Sequence, residues 1–247
     1  EYSISIISSS EIQASAAAQK AISDIHKYEE RFSRFLPSSE LSQLNQLRTM
    51  VVSKLFIELT KEMLKLFRIT GGIFNPLLQI EAFGYDRNFS DIKSEIYAAE
   101  NVSYDMDFSK TIIDEENSSI TLVNDQRMDL GGFLKGYLAE ILCKQIMNSS
   151  EKISGTIVNL GGDIHTQGTD AQGDTFIFSI FNPVTNRDDI TLSLYNQSLA
   201  TSGTYKRNWV RRGVAMHHIL NSSGKSNPQS DIVSASVIDK NGGAAEA

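Results

Sequence analysis

Cysteine is nearly absent from this chain of 247 residues, which contains a single one, Cys143. One cysteine cannot form a disulfide within the chain, and it excludes a metal site built from several thiolates. Cys143 follows Phe133, Tyr137 and Ile141 in a helical pattern, so we expect it to be a small core residue. The chain also lacks a His/Cys cluster that would suggest zinc and a Gly-x-Ser-x-Gly segment that would present a hydrolase nucleophile.

A basic excess and a long apolar run are missing as well. Lys and Arg number 23 against 30 Asp and Glu, which gives a net charge of −7 at pH 7. This balance argues against a nucleic-acid-binding surface, which needs a basic stripe. No apolar run approaches the roughly 20 residues of a membrane-spanning helix. What remains is the composition of an ordinary globular protein, 40% hydrophobic and 21% charged, and long enough to bury a core.

Helical patterns occupy the first part of the chain. Ser10 is placed to cap a long amphipathic helix whose apolar stripe continues to Phe35, and we expect Pro37 to stop it. Ser53 is placed to cap a second helix that ends at the glycine pair 71–72. A third helix is expected after Gly132, running to about residue 148.

Strand patterns dominate the second part. The predicted strands are Tyr2–Ile7, a hairpin over Lys110–Val123, Thr156–Leu160, Thr175–Phe181, Ile190–Tyr195, Asn208–Arg211 and Ile232–Ile238. This segregation predicts an α+β fold in which N-terminal helices pack on a largely antiparallel sheet. The irregular, apolar stretch Ile73–Phe89 predicts a loop packed against a ligand or a neighbouring element. Because no repeat and no linker interrupts the sequence, we expect residues 1–247 to form one domain.

The segment Asp129–Gly136, DLGGFLKG, carries the clearest chemical signal. Two glycines before a helix let the backbone approach a ligand closely, and the N–H groups of the first helical turn favour a phosphate. Lys135 adds a positive charge in that turn, and Asp129 can accept from a ribose or ring donor or cap the helix. A plain strand-to-helix turn with a capping Asp and a surface Lys explains the same residues equally well.

Two further segments are polar and rich in glycine or hydroxyl groups. Asn159–Asp163, NLGGD, ends an apolar run and is typical of an Asx turn. Ala200–Arg207, ATSGTYKR, offers hydroxyls and cations that suit phosphate oxygens. His218 is a candidate general base, because histidine titrates near neutral pH. A lone histidine beside strand residues is, however, more often structural.

In chain order these segments resemble the ApbE-type FAD:protein FMN transferases. The family's motifs are matched at Phe32–Phe35, Ser39–Asn45, Gly71–Asn75, Asp129–Tyr137, Asn159–Ile164, Ala200–Arg207 and His218–Ile219. The likeness spans nearly the whole chain, and the motifs taken together are highly specific.

The resemblance implies a single α+β domain that binds FAD in an extended form. The residues that it implies as FAD contacts are Phe35, Ile73, Phe74, Asn75, Asp129, Lys135 and Leu220. Aromatic side chains and an amide suit an isoalloxazine, although each alone is more often a core residue. The carbonyl of Gly132 is implied as one ligand of a Mg²⁺ ion on the diphosphate. An acceptor Ser or Thr would attack the FMN phosphorus with AMP leaving, and His218 would assist the proton transfer.

The sequence departs from the family pattern in two places. The family's other metal ligands lie in a later Asp-x-x-x-Thr segment, whereas Gly242–Ala247, GGAAEA, resembles only the approach to it. Asn221–Gly224, NSSG, lacks the family's proline and is one residue shorter. The Met-Gly-Thr that often precedes the family's first strand is absent as well, and we therefore expect a sequence trimmed at both ends. Two alternatives stay open, a non-catalytic FAD-binding or flavin-trafficking protein and an FAD pyrophosphatase that gives FMN and AMP.

Partners and location follow from kinship alone. Most relatives work outside the cytoplasm, often as lipid-anchored proteins, and modify flavoprotein subunits of membrane electron-transfer complexes. We therefore expect an extracytoplasmic, membrane-anchored protein with an acceptor flavoprotein as partner, no nucleic acid, and any lipid anchor outside the given sequence. The single cysteine is equally compatible with the cytoplasm.

Overall fold

The computed structural model describes residues 2–83, 105–211, 213–224, 226–228 and 230–247. The chain divides into two compact units, the first made of Glu1–Lys27, Gly131–Gly203 and Ile232–Ala247, and the second of Tyr28–Leu130 and Thr204–Asp231. One boundary falls between Leu130 and Gly131, inside the glycine-rich segment. That residues 1–247 form one domain stays a prediction.

The helices and strands follow one another in an order that mixes both types. They are β1 (Tyr2–Ser8), α1 (Glu11–Phe32), α2 (Glu40–Leu47), β2 (Thr49–Val51), α3 (Lys54–Ile69), β3 (Ile112–Asp114), β4 (Ser119–Thr121), α4 (Leu134–Asn148), β5 (Ile153–Leu160), β6 (Asp163–Gly168), β7 (Phe176–Asn182), β8 (Arg187–Leu194), β9 (Ser198–Gly203), β10 (Asn208–Arg211), β11 (Val214–His217), β12 (Ser234–Asp239) and α5 (Gly242–Glu246). Short 3₁₀ helices span Ile80–Phe83 and Phe108–Lys110. No helix in the described parts of the chain has the length and hydrophobicity that crossing a bilayer demands.

The first unit is built on a five-stranded antiparallel sheet in the order β1-β5-β6-β9-β12. α4 packs on β5 and β6 and buries Leu138, Leu142 and Ile146, and α5 packs on α4 and β9. Cys143 is buried on α4, as predicted, and its thiol donates to the carbonyl of His165 at 3.2 Å. Burial raises the pKa of that thiol to about 12. β7 and β8 pair with each other in a separate two-stranded sheet.

The second unit combines α2 and α3 with two small antiparallel sheets, β2-β4-β3 and β10-β11. The rings of Phe32 and Phe56 pack edge to face, with centroids 5.3 Å apart, in its core. The hydroxyl of Ser53 accepts the N–H of Phe56 at 3.2 Å and caps α3, as predicted. Gly71 and Gly72 follow α3 with φ of 61° and 83°, a left-handed conformation that ends the helix there, as predicted.

The first helix is shorter than its apolar stripe indicates. α1 ends at Phe32, so the predictions that Phe35 lies on the helix and that Pro37 stops it are wrong. The hydroxyl of Ser33 accepts the N–H of Phe35 at 3.3 Å, which removes that N–H from the helical hydrogen-bond ladder. Phe35 therefore lies in a turn.

The predicted strands are all present with slightly different ends, and the hairpin over Lys110–Val123 is β3 and β4. The α+β fold class with a largely antiparallel sheet is confirmed. The elements that sequence reasoning did not predict are α2, β2, β6, β9, β11 and α5. In the predicted packed loop, Phe74, Leu77, Ile80 and Phe83 are buried, while residues 84–89 lie outside the described residues.

Candidate functional site

Lys135 lies in the first turn of α4, as predicted, and is surrounded by acceptors. Its Nζ is 2.6 Å from Oδ2 of Asp163 and also contacts Oε1 of Glu246. It donates to the carbonyl of Gly131 at 3.3 Å. The two carboxylates are buried, with 8% of the Asp163 side chain and 5% of the Glu246 side chain exposed, whereas Lys135 keeps 33% exposed. One cation thus joins the start of α4, the start of β6 and the end of α5.

The second carboxylate oxygen of Glu246 caps α4. Phe133, which precedes the helix, makes no side-chain cap hydrogen bond, and Oε2 of Glu246 accepts the N–H of Gly136 at 2.8 Å. A carboxylate side chain therefore occupies the helix N-terminus, where one of the two interpretations of the sequence places a phosphate. Sequence reasoning did not predict this residue. The available signal was that Glu246 is the single charged residue in Gly242–Ala247.

Glycines bring α5 this close to α4. A Cβ on Gly136 would lie 2.1 Å from the carbonyl oxygen of Gly242, and a Cβ on Gly242 would lie 2.0 Å from that of Gly136. A Cβ on Gly243 would lie 2.3 Å from the ring of Phe133. Any larger residue at these positions would push backbone or a buried ring aside, so the glycines set the distance from which Glu246 reaches α4.

Burial and charge shift the pKa values of this cluster. Burial, together with the charge of Asp163, raises the pKa of Glu246 to about 7 against the opposing effects of Lys135 and the Gly136 N–H. Burial lowers the pKa of Lys135, but the charges of Glu246 and Asp163 outweigh it and leave that pKa above its ordinary value. Lys135 is therefore a cation at neutral pH, and its charge allows two carboxylates to lie together in a buried site.

The Asx turn predicted at Asn159–Asp163 is present, and the segment also has a second role in the lysine cluster. The N–H of Gly162 donates to Oδ1 of Asn159 at 2.8 Å, and Gly161 and Gly162 adopt φ of 69° and 108°. The turn ends at Asp163, the first residue of β6, whose carboxylate pairs with Lys135. This common type of turn thus positions Asp163, one of the two acids, beside Lys135.

Oxygen donors for a metal are present in this cluster. Across the described residues, no group of three or more His, Cys, Asp or Glu side chains is arranged to hold a metal ion. Asp163 and Glu246 are nevertheless carboxylates of the kind that Mg²⁺ prefers, so the donors fit in kind. Each contacts Lys135, and an ion would share them with that ammonium. Gly132 is exposed, and its role as a metal ligand stays a prediction.

Asp129 belongs to the second unit and pairs with an arginine. Its carboxylate forms an ion pair with Arg34, and both side chains are largely buried. The guanidinium carbon of Arg34 also lies 4.7 Å from the centroid of the Phe35 ring, a cation–π contact. The residue at the cap position of α4 is Phe133. The structure thus brings two predicted cofactor contacts together through Arg34, which sequence reasoning did not single out.

The predicted flavin contacts at 73–75 differ in exposure. Phe74 and Asn75 are buried, with 8% and 6% exposed, whereas Ile73 is 73% exposed. The amide of Asn75 donates to the carbonyl of Met106 at 2.8 Å and accepts from the N–H of Leu77 at 3.0 Å. This amide therefore stabilises its own loop and joins it to the segment at Met106, and its contact with a ligand stays a prediction.

His218 and Leu220 follow β11 in the second unit. Leu220 packs against a buried cluster of Ile80, Phe83, Trp209 and Met216. The indole N–H of Trp209 donates to the carbonyl of Phe83 at 2.8 Å and so ties β10 to the 3₁₀ helix. The roles of Leu220 in cofactor contact and of His218 in proton transfer stay predictions.

The chain resembles known proteins over its whole length. A model of the ApbE family matches residues 1–247. A FAD:protein FMN transferase of Klebsiella pneumoniae is 28% identical over 132 residues, which are 52% of this chain and 39% of that protein. One from Vibrio cholerae is 22% identical over 249 residues, 97% of this chain and 73% of that protein. The crystal structure of the ApbE protein of Thermotoga maritima shares the fold, with a TM-score of 0.83 at 22% identity over 98% of this chain and 80% of that one.

Proposed function

The chain belongs to the ApbE family, and from this premise we propose that it transfers the FMN half of FAD to a Ser or Thr hydroxyl of an acceptor protein. Relatives named FAD:protein FMN transferase support this reaction class. The structural observation that carries the proposal is Lys135, a cation fixed at the N-terminus of α4 by two buried carboxylates. A cation at a helix N-terminus is suited to the negative charge of a diphosphate substrate.

The proposed reaction replaces the phosphoanhydride bond of FAD with a phosphate ester to the acceptor. The acceptor hydroxyl oxygen attacks the FMN phosphorus, and a new P–O bond forms. The P–O bond to the AMP half breaks, and AMP leaves with the electron pair on its phosphate oxygen. The hydroxyl proton passes to a base, for which His218 is the candidate. Nothing is oxidised or reduced.

Lys135 would neutralise charge on the diphosphate as it develops in the transition state. The donors suited to that task are its ammonium and the N–H of Gly136, both now engaged by Glu246. A diphosphate approaching this helix end would therefore share these donors with Glu246 or displace it from them. Asp163 would keep the ammonium in place during this exchange, because it holds Lys135 independently of Glu246.

We also propose that the reaction depends on Mg²⁺, held by the carbonyl of Gly132 together with Asp163 and Glu246. When bound, the ion would withdraw charge from the phosphate oxygens. The donor chemistry of the two carboxylates supports this assignment. The residues proposed as contacts of the adenine and flavin groups are Phe35, Ile73, Phe74, Asn75, Asp129 and Leu220.

The proposed acceptor is a flavoprotein subunit of an electron-transfer complex, and the proposed location is the extracytoplasmic side of a membrane. Kinship with the family supports both. Cell fractionation with a lipidation label tests the location. Recovery of the protein in the cytosolic fraction without label would refute it.

Flavin transfer is tested by mixing the protein with FAD, MgCl₂ and an acceptor domain that carries an Asp-x-x-Ser/Thr-x-Thr site. We expect the acceptor to gain the mass of FMN less one water, and AMP to appear in equal amount. Lys135→Met should abolish both products, and an acceptor with Ala in place of the target hydroxyl is the matched control. Omitting MgCl₂ and adding EDTA tests the metal.

Two other results would replace the proposal. Release of free FMN and AMP without an acceptor would identify an FAD pyrophosphatase. Tight FAD binding without turnover, unchanged by EDTA, would identify a flavin-binding or flavin-trafficking protein.

A further inference from the structure

Two side-chain carboxylates join helices α4 and α5, one from each helix. Glu246, at the end of α5, accepts the N–H of Gly136 in the first turn of α4 at 2.8 Å. Glu140, one turn further along α4, accepts the N–H of Gly242, the first residue of α5, at 2.7 Å through Oε2. Each helix thus supplies an acceptor for an N-terminal N–H of the other.

Glu140 has no part in the mechanism described so far, yet it is a buried acid. It is 8% exposed, and its other oxygen pairs with Lys144 on the same helix. Lys144 keeps 51% of its side chain exposed, so that pair lies at the surface and contributes little. The buried contact of Glu140 is the one to α5.

We propose that Glu140 is a positioning residue for flavin transfer, which fixes α5 so that Glu246 meets Lys135 and Gly136. This inference rests on the proposed function. Glu140 touches none of the reacting groups in it, and acts through Glu246.

The size of α5 explains why it needs this tie. Gly242–Glu246 is one helical turn of five residues, far too short to be stable alone. Its residues before Glu246 are two glycines and two alanines, so no large side chain anchors it. Asn241 caps the turn by accepting the N–H of Ala244 at 2.8 Å, which fixes its internal geometry but not its placement on α4. Its placement rests on the close glycine packing against α4 and on the hydrogen bonds of Glu140 at its first residue and Glu246 at its last.

Loss of the Glu140 carboxylate would leave the buried N–H of Gly242 without this acceptor. The first residue of α5 would then shift toward another acceptor, and a one-turn helix moves as a unit. Glu246 would leave the position from which it holds Lys135 and caps α4. The ammonium would keep Asp163 and the carbonyl of Gly131 as acceptors but lose Glu246.

Three variants separate this role from simple packing. Glu140→Ala removes the acceptor, Glu140→Gln keeps a carbonyl oxygen for Gly242, and Lys144→Met removes only the exposed partner. For Glu140→Ala we expect kcat for flavin transfer to fall at least tenfold while KM for FAD changes less than threefold. Glu140→Gln should recover kcat to within threefold of wild type, and Lys144→Met should match wild type. All rates are measured well below the melting temperature of each variant.

A double-variant cycle with Glu246→Gln tests the route of the effect. If Glu140 acts through Glu246, adding Glu140→Ala to Glu246→Gln should lower kcat by less than twofold further. Additive losses would overturn the proposal, as would a wild-type kcat for folded Glu140→Ala. Equal losses in Glu140→Ala and Lys144→Met would also overturn it, because the ion pair with Lys144 would then be the cause. Absence of transfer by the wild-type protein would instead reject the proposed function.

Discussion

Replacing Lys135 with Met tests separately what the lysine cluster contributes to folding stability and what it contributes to flavin transfer. The substitution keeps the length of the side chain and removes its charge. It leaves Asp163 and Glu246 as two buried carboxylates without their shared cation. The N–H of Gly136 still donates to Glu246, so one of the two acids keeps a partner.

Removing one partner of a buried ion pair costs about 3–5 kcal/mol. Because a third of the Lys135 side chain is exposed, the lower end applies, and we expect a loss of about 3 kcal/mol. In a chain of this length that loss lowers Tm by about 6–12 °C. The double variant Lys135→Met/Glu246→Gln removes one of the two acids left without their cation and should recover about half of the loss. Flavin transfer should be absent from both, since neither variant has the ammonium.

The measurement is thermal and urea unfolding at pH 7.5, paired with FMN incorporation at 20 °C. Lys61→Met is the matched control. Lys61 pairs with Glu115 at 2.7 Å, and both side chains are about half exposed or more. Exposed pairs of this kind contribute at most about 1 kcal/mol to stability. A Lys135→Met protein as stable as Lys61→Met would refute the assignment of a buried, charge-compensated cluster. Activity regained in the double variant would refute the role of the ammonium on the phosphate.

Three further outcomes follow from the geometry. Gly136→Ala should lose about 1–3 kcal/mol of unfolding free energy in urea titrations, because its Cβ would meet a carbonyl oxygen at 2.1 Å. Gly132→Ala, with nothing within 4 Å of its Cβ, should be as stable as wild type, and equal stability of the two variants would contradict the packing. Arg34→Lys should raise KM for FAD at least fivefold, because the planar guanidinium contacts with Asp129 and Phe35 are lost. The control Arg31→Lys, at an exposed site, should leave KM unchanged. Equal KM values for the two variants would show that the positive charge alone matters. Burial lowers the pKa of His165 to about 4, below its unfolded value of about 6.5, so the stability present above pH 6.5 should fall by up to about 3 kcal/mol between pH 6.5 and 4. His165→Gln should remove that dependence, and a variant with the same pH profile as wild type would exclude this histidine as its source.

Local signals in the sequence predicted local structure well. The cap at Ser53 and the glycine pair after α3 both act through neighbouring backbone groups. The Ser33 hydroxyl also acts on a neighbouring backbone group, the N–H of Phe35. In the sequence, however, one serine is a weaker signal for the end of a helix than the apolar stripe that continues past it. This is why the end of α1 was predicted too late.

The contacts that define the site could not be predicted, because they join distant parts of the chain. Glu246 is 111 residues from Lys135, and Arg34 is 95 residues from Asp129. No periodicity encodes such a pairing. β6 was missed for a related reason. Its sequence DIHTQG contains a single large apolar residue, and Asp163, His165 and Thr166 become buried only once neighbouring strands and α4 cover them. The motif resemblance supplied Asp129 and Lys135 but neither of these partners.

The order of the sheet has a consequence for the protein's synthesis. β1 pairs with β5, and the hydroxyl of Thr156 donates to the carbonyl of Ser5, 151 residues earlier. At about 5–20 residues per second, the first strand emerges from the ribosome about 8–30 seconds before its partner exists. During that interval its backbone edge and its isoleucines are open to other chains. β12 and α5 are made later still, and they complete the sheet and the lysine cluster.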